Sequence, residues 1–457
     1  MKRGIVMSHE RSGFSSRIGF VLATAGSAVG LGNIWRFPYL AAKYGGGSFL
    51  LIYLILTLTF GFSLMITEVA LGRRAGTSAI NAFGYFNKKF KFIGYLTSFI
   101  PFIIFPYYCV IGGWVTKYMV VSLQQNIPAA ASDDSFSGFI SQTGEPIFYL
   151  LIFLIITTAI VACGVKGGIE RVSTFMMPVL IVLLVGVSIF CITRPGAIDG
   201  VIYYLKPSLK DFGPTTFLAA LGQLFYSMSL AMGIMITFGS YMPKKSDLEK
   251  SVTQVECFDT GVAFLAGLMI VPAVFVFSNG DSSMLAKGPS LMFVMLPKVF
   301  NSMAFSNAIG AVFFILVLFA ALTSSISLLE TLVAVLMDKF HIRRIPACII
   351  LFFIAVLMAL PSSLGFGPLS GIQIIGFSIL DFFDFLSNSV LMPIAAFLTC
   401  IFVAYVTKPT IIINEVESSG KFKRKSLFLI MVKYLAPICI IAILIFSVFE
   451  GLGIITV

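Results

Sequence analysis

Residues Gly26-Ser27-Ala28-Val29-Gly30-Leu31-Gly32-Asn33-Ile34-Trp35-Arg36-Phe37-Pro38 set three glycines, an asparagine and an arginine inside an otherwise continuous apolar stretch. Glycine costs a helix about 1 kcal/mol relative to alanine, and a charged side chain in such a stretch costs insertion energy. A break at membrane depth frees backbone carbonyls and amides, which must be buried in protein or line a cavity. The chemistry implied is therefore reversible binding, in which a ligand uses the freed groups. A second polar interruption, Gln223 to Gly233 with Tyr226, Ser227, Ser229 and Met232, lies in a later apolar stretch.

The elements that carry these breaks are membrane helices. The chain has 457 residues, of which 58% are hydrophobic and 11% charged, with mean hydropathy +1.01; soluble domains carry about 25% charged residues. Windows of about 20 apolar residues recur at 15–39, 47–71, 93–122, 147–163, 171–192, 215–241, 253–278, 306–337, 345–360, 373–406 and 428–449. The expectation is an all-α polytopic membrane protein of about eleven spans, forming one transmembrane domain over 1–457. The breaks fall in the first and sixth spans. That places a five-helix unit at 15–192 and a second at 215–406, inverted because five is odd, with 428–449 outside the repeat. Matching interruptions in two halves are a pointer to a binding site near the bilayer midplane.

The net charge of +11 does not indicate nucleic acid, because the basic residues cluster in short loops. Arg73, Arg74, Lys88, Lys89 and Lys91, then Lys244, Lys245 and Lys250, then Lys339, Arg343 and Arg344, and finally Lys421, Lys423, Arg424 and Lys425 all fall on one side. With Lys2, Arg3 and Arg11 this gives a cytoplasmic N-terminus and, after an odd number of spans, a C-terminus outside. No cleavable signal pattern opens the chain, no Asn-x-Ser/Thr sequon occurs, and the seven cysteines show no metal or disulfide spacing. A bacterial plasma membrane is the expected location.

These residues resemble the neurotransmitter:sodium symporter family, whose LeuT-type fold has two inverted five-helix repeats with unwound helices 1 and 6. The resemblance rests on the Gly26 to Pro38 segment followed by Gly45-Gly46-Gly47, on Tyr107-Tyr108 before Trp114, on Gln223 to Gly233, on Ala320-Ala321-Leu322-Thr323-Ser324-Ser325, and on Asp381 to Asp384. It implies two sodium sites built of hard oxygen donors. The first would use the Ala28 carbonyl, Asn33, Ser227 and Asp259; the second the carbonyls of Gly26, Val29 and Ala320 with the Thr323 and Ser324 hydroxyls. The bland alternative for Thr323 and Ser324 is bonding back to their own helix. Asp259 stands where the family usually has asparagine, and Ala263 where chloride-dependent members have serine. Its fixed negative charge implies transport without chloride.

The resemblance also implies a substrate pocket of Ala28, Gly30, Gly32, Ile104, Tyr108, Tyr226, Ser227, Ser229, Met232, Ser325 and Leu328. Gly30 leaves room for a substrate carboxylate, and the adaptable Met232 suits a large apolar or aromatic amino acid such as tyrosine or tryptophan. Arg36 with Asp384 would form an outer gate; Arg11 with Asp338, helped by Ser240 and Tyr241, an inner one. Phe14 replaces a usual tryptophan near the inner gate, and Glu68 is expected to bond the unwound backbone. A membrane enzyme is disfavoured because His9 and His341 lie at span edges and no catalytic motif occurs. A channel fits two discrete cation sites poorly, and a transport-inactive sodium-dependent sensor of amino acids, or a symporter of another small zwitterion, stays open. No oligomeric state follows from the sequence.

Overall fold

The computed structural model describes residues 13–132, 134–277, 289–303 and 305–451. Among these residues the regular elements are helical, with one isolated bridge between Ile374 and Phe377. The first apolar stretch is two helices, α1 (Arg17–Ala28) and α2 (Gly32–Lys43), bent by 56° at the break. Four unbroken helices follow: α3 (Gly47–Ala75), α4 (Lys88–Leu123), α5 (Gly144–Ala162) and α6 (Val165–Ile192). The stretch at 215–241 is again two pieces, α7 (Pro214–Ser227) and α8 (Ile234–Tyr241). Then come α9 (Leu248–Phe277), α10 (Ser306–Phe340), α11 (Arg344–Leu364), α12 (Ile379–Val406) and α13 (Lys425–Gly451).

Among the described residues, nine helices are individually long and apolar enough to cross a membrane, and the bent α1/α2 pair makes ten. The expected count of eleven needs α7 and α8 as one further crossing. At 14 and 8 residues each is too short alone, since a crossing needs about 20. The span expected from 373 begins instead at Ile379, because turns and the Ile374–Phe377 bridge occupy the residues before it.

Hydropathy alone does not rank these spans, but burial does. The most apolar windows of α4 and α10 are 89% and 83% buried, whereas those of α5, α6, α11 and α13 are 33–39% buried. α4 and α10 therefore form the centre, packed against each other, and the less buried helices present an apolar face outward. α9 packs along α1, α2 and α6. The local start of α1 is set by Ser16, in extended conformation, whose Oγ accepts from the Gly19 amide at 3.0 Å. Glycine at 233 adopts φ +75 just ahead of α8, a backbone region that disfavours other residues.

Candidate functional site

The carbonyls freed between α1 and α2 face α10. Ser324 Oγ lies 3.4 Å from Gly26 O, 3.1 Å from Ser27 O and 3.3 Å from Val29 O. One hydroxyl proton satisfies one acceptor well, and Ser27 O already accepts from Ser229 Oγ at 2.9 Å. The Gly26 and Val29 oxygens thus keep lone pairs directed at this point. Thr323 turns its hydroxyl back to its own helix, 3.0 Å from Phe319 O and 3.2 Å from Ala320 O. That is the alternative weighed from sequence, although the hydroxyl oxygen keeps lone pairs of its own. Two other freed groups find side-chain partners: Gln223 Nε2 donates to Gly32 O at 3.0 Å, and the Ala231 amide donates to Glu68 Oε1 at 2.7 Å. Glu68 thus bonds the unwound backbone of the second break.

Asp259, fully buried on α9, faces the first break rather than a membrane surface. Its carboxylate accepts from Asn33 Nδ2 at 2.8 Å, from Ser227 Oγ at 2.9 Å and from Tyr53 OH at 3.3 Å. A carboxylate only accepts, so the Asn33 amide must aim its nitrogen at Asp259, and its oxygen accepts from the Gly30 amide at 3.2 Å. Tyr53 was not foreseen. It sits in α3, 206 residues from Asp259, and nothing in its flanking sequence marks it. Four polar side chains from α2, α3, α7 and α9 thus converge in a region with no water-facing surface.

Between the two breaks lies a small, partly enclosed cavity. Ala28, Gly30, Gly32, Ile104, Tyr108, Tyr226, Ser229, Met232 and Leu328 line it, together with Ser324. A Cβ at position 30 would stand 2.7 Å from Ser324 Oγ and displace that hydroxyl; at 32 it would fall into the Tyr226 ring. The Tyr108 hydroxyl is buried without a hydrogen-bond partner, facing the Leu31 amide and the Ser324 hydroxyl. Two expected residues differ. Ser325 points behind the wall, its hydroxyl 3.1 Å from Thr157 Oγ1, because it lies 100° round the helix from Ser324. Ser227 does not line the cavity either, as Asp259 holds its hydroxyl. Tyr107, Ile234 and Asn388 are additional lining residues.

At one end of the cavity the expected pair of Arg36 and Asp384 is apart. No ion pair joins them among the described residues; the Arg36 guanidinium stacks over the Tyr226 ring at 5.0 Å, while Asp384 Oδ1 accepts from Tyr107 OH at 3.1 Å and Asn388 Nδ2 at 2.7 Å. At the opposite end Arg11 lies outside the described residues. Asp338 Oδ2 accepts from Thr77 Oγ1 and the Ser78 amide at 2.8 and 2.7 Å. Ser240 Oγ donates to Thr237 O at 2.6 Å. Tyr241 OH donates to Glu330 Oε1 at 2.8 Å, and Glu330 pairs with Arg344 at 2.5 Å. Phe14 packs edge-on against Phe20, Phe238 and Tyr241, and its amide donates to Tyr241 O at 3.1 Å. Phe14 is thereby buried at this end. Glu330, fully buried, was not singled out from sequence.

The profile of the sodium:neurotransmitter symporter family matches the chain over residues 11–139 and 134–452. An uncharacterized sodium-dependent transporter of Haemophilus influenzae is 34% identical over 460 residues, covering 96% of this chain and 99% of that one. The Bacillus subtilis sodium-dependent transporter YhdH is 34% identical, over 94% and 96% of the two chains. A crystal structure of MhsT in complex with L-phenylalanine superposes with a TM-score of 0.86 at 38% identity, covering 96% of this chain and all of that one.

Proposed function

The chain belongs to the sodium:neurotransmitter symporter family with the LeuT-type fold, and from that premise we propose that it imports a large neutral amino acid with sodium and without chloride. The observation that carries this reading is the fully buried Asp259 carboxylate held against the α1/α2 break. The Asn33 NH₂ group presents the positive edge that Asp259 and Ser227 gather around. A sodium ion fits the same surroundings by chemistry, since every donor is a hard oxygen once the Asn33 amide turns its Oδ1 inward. Ala28, Asn33, Ser227 and Asp259 would hold it. Gly26, Val29, Ala320, Thr323 and Ser324 would hold a second ion, which the lone pairs left on Gly26 and Val29 favour.

Two sodium ions beside a zwitterion leave excess positive charge, and a fixed carboxylate at 259 supplies the balance that an added anion supplies elsewhere. The substrate carboxylate would sit against the Tyr108 hydroxyl and the α2 N-terminus, whose free amides and dipole suit an anion. The apolar wall of Ile104, Met232 and Leu328 favours an apolar or aromatic side chain, in keeping with the phenylalanine bound to MhsT. Arg36 and Asp384 would then close the outer side, and the Phe14 packing the cytoplasmic side, with the N-terminus cytoplasmic. The matched relatives are named as sodium-dependent transporters. Uptake of labelled amino acids into proteoliposomes, with sodium or chloride replaced in turn, tests the reading. Sodium-gradient uptake of a large neutral amino acid that survives chloride removal is expected. Sodium-dependent binding without uptake would favour a sensor instead.

A further inference from the structure

One polar atom at the wall of the cavity has no use in the account so far. Asn388 on α12 lines the central cavity and also a smaller one beside Arg36, Phe225 and Tyr226. Its Oδ1 is buried and has no hydrogen-bond partner. The direction of that oxygen is decided by its neighbours. Asn388 Nδ2 lies 2.7 Å from Asp384 Oδ1 and 3.2 Å from Tyr107 OH. The carboxylate can only accept, and the single Tyr107 proton is spent on Asp384 at 3.1 Å, so both neighbours require the NH₂ side of the amide. Turning the amide over would set two acceptors against each other. The carbonyl side is therefore held away from Asp384, as an acceptor without a donor.

A buried amide oxygen left unbonded costs free energy; Arg36, which lines the smaller cavity, is stacked on Tyr226 and makes no hydrogen bond to it, and the side-chain end of the central cavity offers it no donor. Ile104, Met232, Ile234 and Leu328 are apolar, and the other polar lining groups have the substrate's carboxylate and amine to meet. We propose that Asn388 reads the side chain of the substrate, with Oδ1 accepting a hydrogen bond from a donor carried by an aromatic amino acid, a phenolic hydroxyl or an indole N–H. Asp384 and Tyr107 act as its positioning residues, fixing the amide so that discrimination costs no reordering. This rests on the proposed amino-acid symport and narrows its substrate class from large neutral side chains to aromatic ones bearing a donor. Sites that present a fixed acceptor discriminate strongly against an isostere lacking the donor.

The test compares tyrosine and phenylalanine, which differ by one hydroxyl, as competitors of sodium-dependent binding to the full chain in proteoliposomes. The wild type is expected to bind tyrosine on the order of tenfold more tightly than phenylalanine. In Asn388→Leu that preference disappears, while Asn388→Gln, which keeps the amide, retains part of it. Damage to the neighbouring gate would weaken both amino acids together and leave their ratio unchanged, so the ratio separates recognition from folding or closure. A ratio that survives Asn388→Leu, or a wild type that favours phenylalanine, overturns the proposal while leaving symport standing. Its Oδ1 would then serve Arg36 on closure. A wild type that binds neither amino acid with sodium overturns the symport reading, and this inference falls with it.

Discussion

Asp259 brings a carboxylate to full burial with three side-chain donors and no cation partner among the described residues. Such a charge is expensive unless a counter-ion completes it, which is the physical ground for the proposed sodium role. Asp259→Asn is expected to raise the sodium concentration for half-maximal substrate binding by about tenfold or more, the effect of losing one charge-assisted ligand; titration of sodium against a labelled substrate measures it. An unchanged sodium dependence would remove Asp259 from the site. Tyr53→Phe keeps the ring and deletes one bond to the carboxylate, so the same titration should move only a few-fold. Ser325→Ala, behind the cavity wall, should leave substrate affinity unaltered, in contrast to Ser324→Ala.

The two broken stretches work because side chains from other helices take over the hydrogen bonds that helical backbone would have made. Glu68 on α3 holds the Ala231 amide, at a residue with φ +62 that alanine adopts at a cost. Glu68→Gln retains the accepting oxygen and should keep most uptake. Glu68→Ala leaves a buried amide unpaired, at a cost of about 1–3 kcal/mol, and should reduce uptake severely. Equal loss in both variants would show that charge rather than the hydrogen bond matters. Gly32→Ala tests the other break, since its Cβ collides with the Tyr226 ring. Substrate affinity should fall at least about tenfold, because Tyr226 has to leave its place over the cavity.

At the scale of the whole molecule, Phe14 is packed among aromatic rings at one end of the cavity while Arg36 and Asp384 stand apart at the other, an arrangement that the proposed alternating access would use. Arg36 and Asp384 make no ion pair in this arrangement, so Arg36→Ala should leave the melting temperature in detergent within a degree or two while abolishing uptake. A large drop in melting temperature would make Arg36 structural. Arg73 behaves in the opposite way. Its side chain is fully buried and pairs with Glu415 at 2.7 Å, and it also donates to Ser246 O at 2.9 Å. This joins α3 to the segments following α8 and α12. Removing one member of such a buried pair costs about 3–5 kcal/mol, so Arg73→Ala should lower the melting temperature clearly.

The amino-acid sequence determined the membrane class, both breaks and the likeness to a sodium-coupled family, because each depends on local composition and on motif residues close together in the chain. Gly26 to Pro38 is legible that way, and so is the aspartate at 259. Tertiary structure decided which side chains meet. Tyr53, Glu330 and Asn388 carry no local signal, and each meets a side chain distant in the chain, 206, 89 and 281 residues away. It also decided which of two neighbouring serines faces the cavity and which faces Thr157. An α-helix turns 100° per residue, so adjacent residues of one motif point in different directions, and only the packing of the surrounding helices determines which direction is the site.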